Sequence, residues 1–65
     1  MKIIVNGDES ETGARTLAEL LAELGFADAI VATALNGAVV RAPTRAATAL
    51  GDGDRIEILA PMQGG

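Results

Sequence analysis

The stretch that decides the fold is TLAELLAELG, at residues 16–25. Its first residues, Thr16 and Glu19, fit a capping box: the threonine hydroxyl accepts from a free amide, and the glutamate reaches back to the cap amide. Apolar residues follow at helical spacing and form one stripe. The stripe consists of Leu17, Leu20, Leu21 and Leu24. Gly25 supplies the left-handed residue that ends a helix. The stretch therefore predicts a helix over residues 17–24, which at two turns must pack on a sheet to be stable.

Short β-type runs on both sides of this helix predict the strands of that sheet. They cover residues 2–5, 31–35, 38–41 and 55–60, with a shorter edge strand expected within 9–14. Asn6-Gly7-Asp8 predicts a turn after the first strand. Asn36-Gly37 predicts a tight hairpin turn, because a type I′ turn needs positive φ at both positions. A turn or 3₁₀ segment is expected within 44–50, and a tight turn at 51–54. The order predicts an α+β fold, with one helix on one face of a mixed four- to five-stranded sheet.

Alternation in the first and last strands predicts which side chains face the helix. Ile3, Val5, Ile56 and Ile58 are expected to form the core with the leucine stripe. Ile4 and Leu59 then fall on the opposite face, in two strands expected to be neighbours, and they predict an exposed docking patch. Asp52, Asp54 and Glu57 are expected to form its charged rim.

Length and composition indicate one small globular domain over residues 1–65, with 61–65 as a flexible C-terminal tail. The chain has 65 residues, of which 49% are hydrophobic and 22% charged. Met1-Lys2 leads directly into a strand, and no apolar stretch approaches the ~20 residues that span a bilayer. We expect a cytoplasmic protein that is monomeric when alone.

The residues that are missing limit the chemistry of this chain. It contains no cysteine, histidine, tryptophan or tyrosine. Thiolate nucleophiles, cysteine metal sites and the usual general base near neutral pH are therefore excluded. The net charge of −4 argues against binding to nucleic acid or to anionic lipid. We expect a protein that is not an enzyme and that binds no metal or cofactor itself.

The last two residues, Gly64 and Gly65, are not required by any predicted turn or cap. A small chain end is one explanation for them. The functional explanation is that two residues without Cβ atoms can enter a narrow channel of another protein and expose the terminal carbonyl carbon to attack.

Five motifs in one register resemble the ThiS family, the small sulfur carriers of thiamin thiazole biosynthesis. They are MKIIVNG at 1–7, TLAELL at 16–21, LNG at 35–37, DGDRIEI at 52–58 and MQGG at 62–65. The chain departs from the family pattern around residues 40–46, where many members carry an aromatic residue and this chain has Arg41, Pro43 and Arg45.

This resemblance implies a ubiquitin-like β-grasp fold whose first and last strands lie parallel at the centre of the sheet. It also implies that an E1-like adenylyltransferase of the ThiF type adenylates Gly65 with ATP and Mg²⁺. Sulfur from a persulfide, ultimately from a cysteine desulfurase, would convert Gly65 into a thiocarboxylate for a thiazole synthase of the ThiG type. Gly64 would give access to the partner's active site. Ile4, Leu59, Met62 and Gln63 are the residues expected to contact the partners.

Three alternatives remain open from the sequence. The small subunit of molybdopterin synthase also ends in Gly-Gly, but those chains are usually longer. A carrier that supplies sulfur for tRNA thiolation is a second alternative. A non-covalent β-grasp binding module, in which the Gly-Gly end has no chemical role, belongs to a different class.

Overall fold

The computed structural model describes residues 1–60, so the expected tail at 61–65 lies outside the described residues. The predicted order of elements is confirmed. The strands are β1 (Lys2–Val5), β2 (Asp8–Glu11), β3 (Ala32–Leu35), β4 (Ala38–Val40) and β5 (Arg55–Leu59). Helix α1 spans Leu17–Glu23, and a 3₁₀ helix spans Ala42–Ala47 with proline in its first turn.

The sheet has β-grasp topology, with strand order β2-β1-β5-β3-β4. The first and last strands, β1 and β5, are parallel neighbours at its centre, and the other three pairings are antiparallel. The Asn36-Gly37 turn has the predicted geometry, with φ of +50° and +87°, and the Asn6-Gly7 turn has nearly the same values, +49° and +87°. These are the positive values that a two-residue hairpin requires.

Helix α1 is closed at both ends by hydrogen bonds that its sequence predicts, with one difference. The Thr16 hydroxyl accepts from the Glu19 amide at 3.2 Å, as expected for the cap. The Glu19 carboxylate, however, accepts at 2.8 Å from the amide of Arg15, one residue before the cap. At the other end, Gly25 has a φ of +90°, and the Phe26 amide donates to the Leu21 carbonyl at 2.7 Å. This is a Schellman ending, which satisfies carbonyls that the helix leaves free.

The core lies between α1 and the inner face of the sheet. Its buried residues are Ile3, Ala14, Leu17, Leu20, Leu21, Val31, Ile56 and Ile58. Two predicted members differ: Val5 is only partly buried, and Leu24 is 39% exposed. Because the helix ends at Glu23, Leu24 occupies the C-cap at the margin of the core.

Arg45 fixes the 3₁₀ helix to strand β3. Its Nε donates to the Thr33 hydroxyl at 2.9 Å, and its Nη2 donates to the Val31 carbonyl at 2.6 Å. The same hydroxyl donates to the Val40 carbonyl at 2.6 Å, although Thr33 is only 3% exposed. A buried hydroxyl must find partners, and here both of its roles are filled. This arginine, in the segment that departs from the family pattern, therefore stabilises the local fold.

Replacing Leu21 by alanine tests the core. Leu21 is 4% exposed, so the variant should lose about 2–5 kcal/mol of unfolding free energy, because it removes buried methyl groups and leaves a cavity. Leu24→Ala is a matched control on the same helix and should cost less, since that side chain is partly in water. Urea unfolding measures both; equal midpoints for the two variants would contradict the assigned core.

Candidate functional site: the end of strand β5

The predicted reactive and access residues, Gly65 and Gly64, lie outside the described residues, as do Met62 and Gln63. The structure does describe the strand that leads to them. Strand β5 lies between β1 and β3 and ends at Leu59. The candidate site is therefore the C-terminal end of β5 and the surface around it.

The side chain of Asn6 holds this end of β5. Strand β1 ends at Val5, and the Asn6 backbone N–H makes the last backbone hydrogen bond to β5, to the Ile56 carbonyl at 2.9 Å. Beyond it the chain turns away into the hairpin, and its backbone no longer pairs with β5. The Asn6 amide group replaces it. Its Oδ1 accepts from the Ile58 amide at 2.8 Å, and its Nδ2 donates to the Ile58 carbonyl at 3.2 Å. The side chain thus acts as one further peptide group of the ladder.

Asn36 makes a similar contact at the start of β5. Its Oδ1 accepts from the Arg55 amide at 2.9 Å, and its Nδ2 donates to Asp54 Oδ1 at 3.0 Å. The sequence identified both asparagines only as turn residues. Glycine tolerates positive φ as well as asparagine does, so the turn alone does not require an asparagine side chain. The presence of asparagine at both positions was therefore the signal in the sequence for a side-chain contact.

Ile4 and Leu59 are both placed on the outer face, away from α1, but they are not neighbours as predicted. The parallel register pairs Ile4 with Arg55. Leu59 lies four residues further along β5, or about 13 Å at 3.3 Å per residue. Ile4 is partly buried, whereas Leu59 is 67% exposed. The prediction that these two residues form a single patch is therefore wrong.

Leu59 instead belongs to an apolar surface that extends toward β4. We call it the outer patch; it consists of Ile30, Ala32, Ala34, Val39 and Leu59. Leu59 pairs directly with Ala32 in the sheet, and its side chain borders two adjoining shallow depressions, one lined by Ile30 and the other by Val39. Ile30 and Val39 are 83% and 80% exposed. Adjoining exposed aliphatic side chains on a small domain indicate a binding surface.

Two of the three acids expected around this patch have other roles. Asp52 accepts from the Lys2 amide at 2.8 Å, and Asp54 accepts from the Gly51 amide at 2.7 Å. Both belong to the turn that begins β5, at the opposite end of the strand from Leu59. Only Glu57 borders the outer patch.

Residues 1–60 also show neither a cluster of metal ligands nor a membrane-spanning helix. No group of three or more potential metal ligands was found there. None of the helices described in that range has the length and hydropathy needed to cross a membrane.

A model of the ThiS family matches residues 3–65. The chain belongs to the ThiS family. Two solved structures agree with this membership. The crystal structure of the thiamine biosynthesis protein ThiS from Geobacter metallireducens is 40% identical, with a TM-score of 0.82 and full coverage of both chains. The solution structure of a thiamine biosynthesis protein from the same organism is 38% identical, with a TM-score of 0.80; the match covers 100% of this chain and 88% of that one.

A thiazole synthase of Paramagnetospirillum magneticum is also similar to this ThiS-family chain. The two are 39% identical over 66 residues, which is the whole of this chain but 20% of that protein. The chain thus spans about one fifth of the length of this curated relative.

Replacing Asn6 by glycine tests its hold on β5. Glycine keeps the positive φ of the turn but removes both contacts to Ile58, which should cost about 1–2 kcal/mol. The Ile58 amide should then exchange with solvent faster, by about tenfold. Asn36→Gly is the matched control and should affect Arg55 instead. If Ile58 exchanged equally fast in both variants, Asn6 would have no local role.

Proposed function

We propose that this protein is a sulfur carrier of thiamin biosynthesis and that Gly65 is its reacting residue. Membership of the ThiS family is the observation that carries the proposal. The Gly64-Gly65 pair agrees with it, because two residues without side chains fit a narrow active site. The proposal requires Gly65 to carry a free α-carboxylate.

The first chemical step makes that carboxylate reactive. An ionised carboxylate is a poor electrophile, because its charge is delocalised over both oxygens. In the proposed step, one oxygen attacks the α-phosphorus of ATP and pyrophosphate leaves, which gives an acyl-adenylate on Gly65. An E1-like adenylyltransferase of the ThiF type would bind the ATP and Mg²⁺ and catalyse this step.

The second step introduces sulfur. A persulfide, charged ultimately by a cysteine desulfurase, attacks the carbonyl carbon of Gly65 and displaces AMP. The resulting acyl disulfide is cleaved by a thiol, and the thiocarboxylate remains on Gly65. A thiazole synthase of the ThiG type would then take the sulfur. The similarity to a protein named thiazole synthase supports this last partner.

In this scheme the chain is a co-substrate and not an enzyme. The sequence has neither cysteine nor histidine to supply a nucleophile or a base, so the catalytic groups must come from the partners. What the chain contributes is a rigid domain that brings Gly65 to them. The outer patch beside the end of β5 is well placed for docking, because a partner seated there is close to Ala60, the last described residue.

The intact mass of the protein isolated from its own cells tests the function as a whole. Replacing a terminal oxygen by sulfur adds about 16 Da, a shift that a non-covalent binding module does not show. Carrier protein isolated from cells without the adenylyltransferase is the control. The absence of the heavier species from cells with an active thiamin pathway would reject the proposal.

Deleting Gly65, or replacing Gly64 by valine, should abolish adenylation. The deletion shifts the carboxylate by one residue, and the valine side chain obstructs entry to a narrow site. The buried core described by the structure is built from residues between Ile3 and Ile58, so the melting temperature should stay nearly constant. Exchange of pyrophosphate into ATP, measured with the adenylyltransferase present, reports the reaction. Full exchange with the deletion variant would show that Gly65 is not the reacting residue.

Replacing Leu59 by serine should weaken binding to the adenylyltransferase by about 1–3 kcal/mol if this side chain anchors the interface. Leu59 is 67% exposed, so the free energy of unfolding should change little. Leu24→Ser, on the helix side of the domain, is the control. Titration calorimetry measures both, and wild-type affinity for the Leu59 variant would remove this residue from the interface.

A further inference from the structure

The two edge strands of the sheet differ in how well they are protected against pairing with another chain. The β2 edge carries Asp8, Glu9 and Glu11 within four residues. Charged residues of this kind discourage another strand from adding to an edge. The β4 edge, Ala38–Val40, has no charged residue.

The backbone N–H and C=O of Val39 point outward from the sheet at this uncharged edge. The two-residue turn at Asn36-Gly37 makes Leu35 and Ala38 a hydrogen-bonded pair of the β3–β4 hairpin. Hydrogen-bonded and non-hydrogen-bonded pairs alternate along an antiparallel ladder, so the next residue, Val39, points its N–H and C=O away from β3. Strand β4 therefore presents one donor and one acceptor to an incoming strand.

The charge around this edge is positive, although the protein as a whole is acidic. Residues 29–51 contain two arginines and no acidic residue. Arg45 is held by Thr33 and Val31, which leaves Arg41, an exposed residue directly after β4. The ion pairs found within residues 1–60 join the N-terminal amine to Glu11 and Arg15 to Glu19, so neither neutralises Arg41.

The edge also continues into the outer patch. The Val39 side chain is 80% exposed and shares a depression with Ala34 and Leu59. Glu57 also lines this depression, with its backbone two strands from β4, at about 10 Å. An incoming strand would therefore meet an apolar side chain and an arginine beside β4, with Glu57 on the far side of the depression.

We propose that the β4 edge binds an extended acidic segment of a partner protein, which adds to the sheet as a sixth strand. Backbone hydrogen bonds to Val39 fix the segment, an aliphatic side chain packs on the outer patch, and a carboxylate pairs with Arg41. Strand addition of this kind obtains affinity from the main chain and specificity from alternate side chains. The segment ends near Arg41, because the Arg41 carbonyl already accepts from Thr44 and the 3₁₀ helix begins at Ala42. This inference does not depend on the carrier function.

Two peptides of opposite charge test the proposal, with the folded protein labelled for amide NMR. They are acetyl-Glu-Thr-Val-Thr-Glu-amide, whose valine and glutamates lie on one face of an extended strand, and the same peptide with lysine in place of glutamate. The acidic peptide should shift the Val39 amide and its neighbours, and the basic peptide should bind more weakly. Arg41→Glu should reduce binding of the acidic peptide by about two- to fivefold and reverse the preference.

A change in the backbone separates strand addition from simple charge attraction. Val39→Pro removes the outward N–H and no ladder hydrogen bond, as proline can on an edge strand. It should abolish binding of the acidic peptide, whereas Val39→Thr, which keeps the N–H, should retain it. Equal shifts from both peptides, or shifts centred on β2, would overturn the proposal. A Val39 shift that depends on protein concentration without peptide would also overturn it, because a second copy would then occupy the edge.

Discussion

Strands β1 and β5 run parallel at the centre of the sheet, which places residues from the two ends of the described chain side by side. Parallel strands cannot be joined by a tight turn, so the chain between them must cross over one face of the sheet. Helix α1 makes that crossing, and its leucines meet Ile3, Ile56 and Ile58 in the core. Closing a loop of about 50 residues has an entropic cost that burial of these side chains must offset. The position of the helix and the location of the core both follow from this pairing.

The same pairing is short, and this explains the role of the turn asparagines. Only Ile4 and Val5 are in direct register with β5, which continues for three residues past its pairing with Val5. Backbone groups left without partners in a sheet are costly. The side-chain amide of Asn6 supplies the missing partners for the backbone of Ile58. On the other edge of β5, strand β3 pairs as far as Leu59. Strand β3 on one edge and the Asn6 side chain on the other therefore hold β5 together as it approaches Ala60.

Structural features that depend on neighbouring residues were predicted correctly from the sequence. Features that depend on contacts between distant segments were not. Strands, turns, the helix cap and most of the core follow from local spacing. The adjacency of Ile4 and Leu59 does not, because the register between strands more than 50 residues apart is set by packing of the whole sheet. Leu24 fits the leucine stripe, and only the position of the helix end puts it at the margin. The amide contacts of Asn6 and the turn contacts of Asp52 were missed for the same reason: their partners are far away in sequence.

The distribution of apolar and charged surface is the remaining constraint on this domain. Ile30, Val39 and Leu59 contribute little to folding, because their side chains are mostly in water. Polar residues there would fold equally well, so their apolar character indicates contact with another molecule. An exposed apolar sheet face is also a hazard, since it favours association between copies. The acids of β2 and the net charge of −4 oppose that association without covering the patch. The outer patch thus stays available to a partner that is not strongly acidic. An acidic partner can also reach the patch if it approaches from the side of the sheet that carries Arg41.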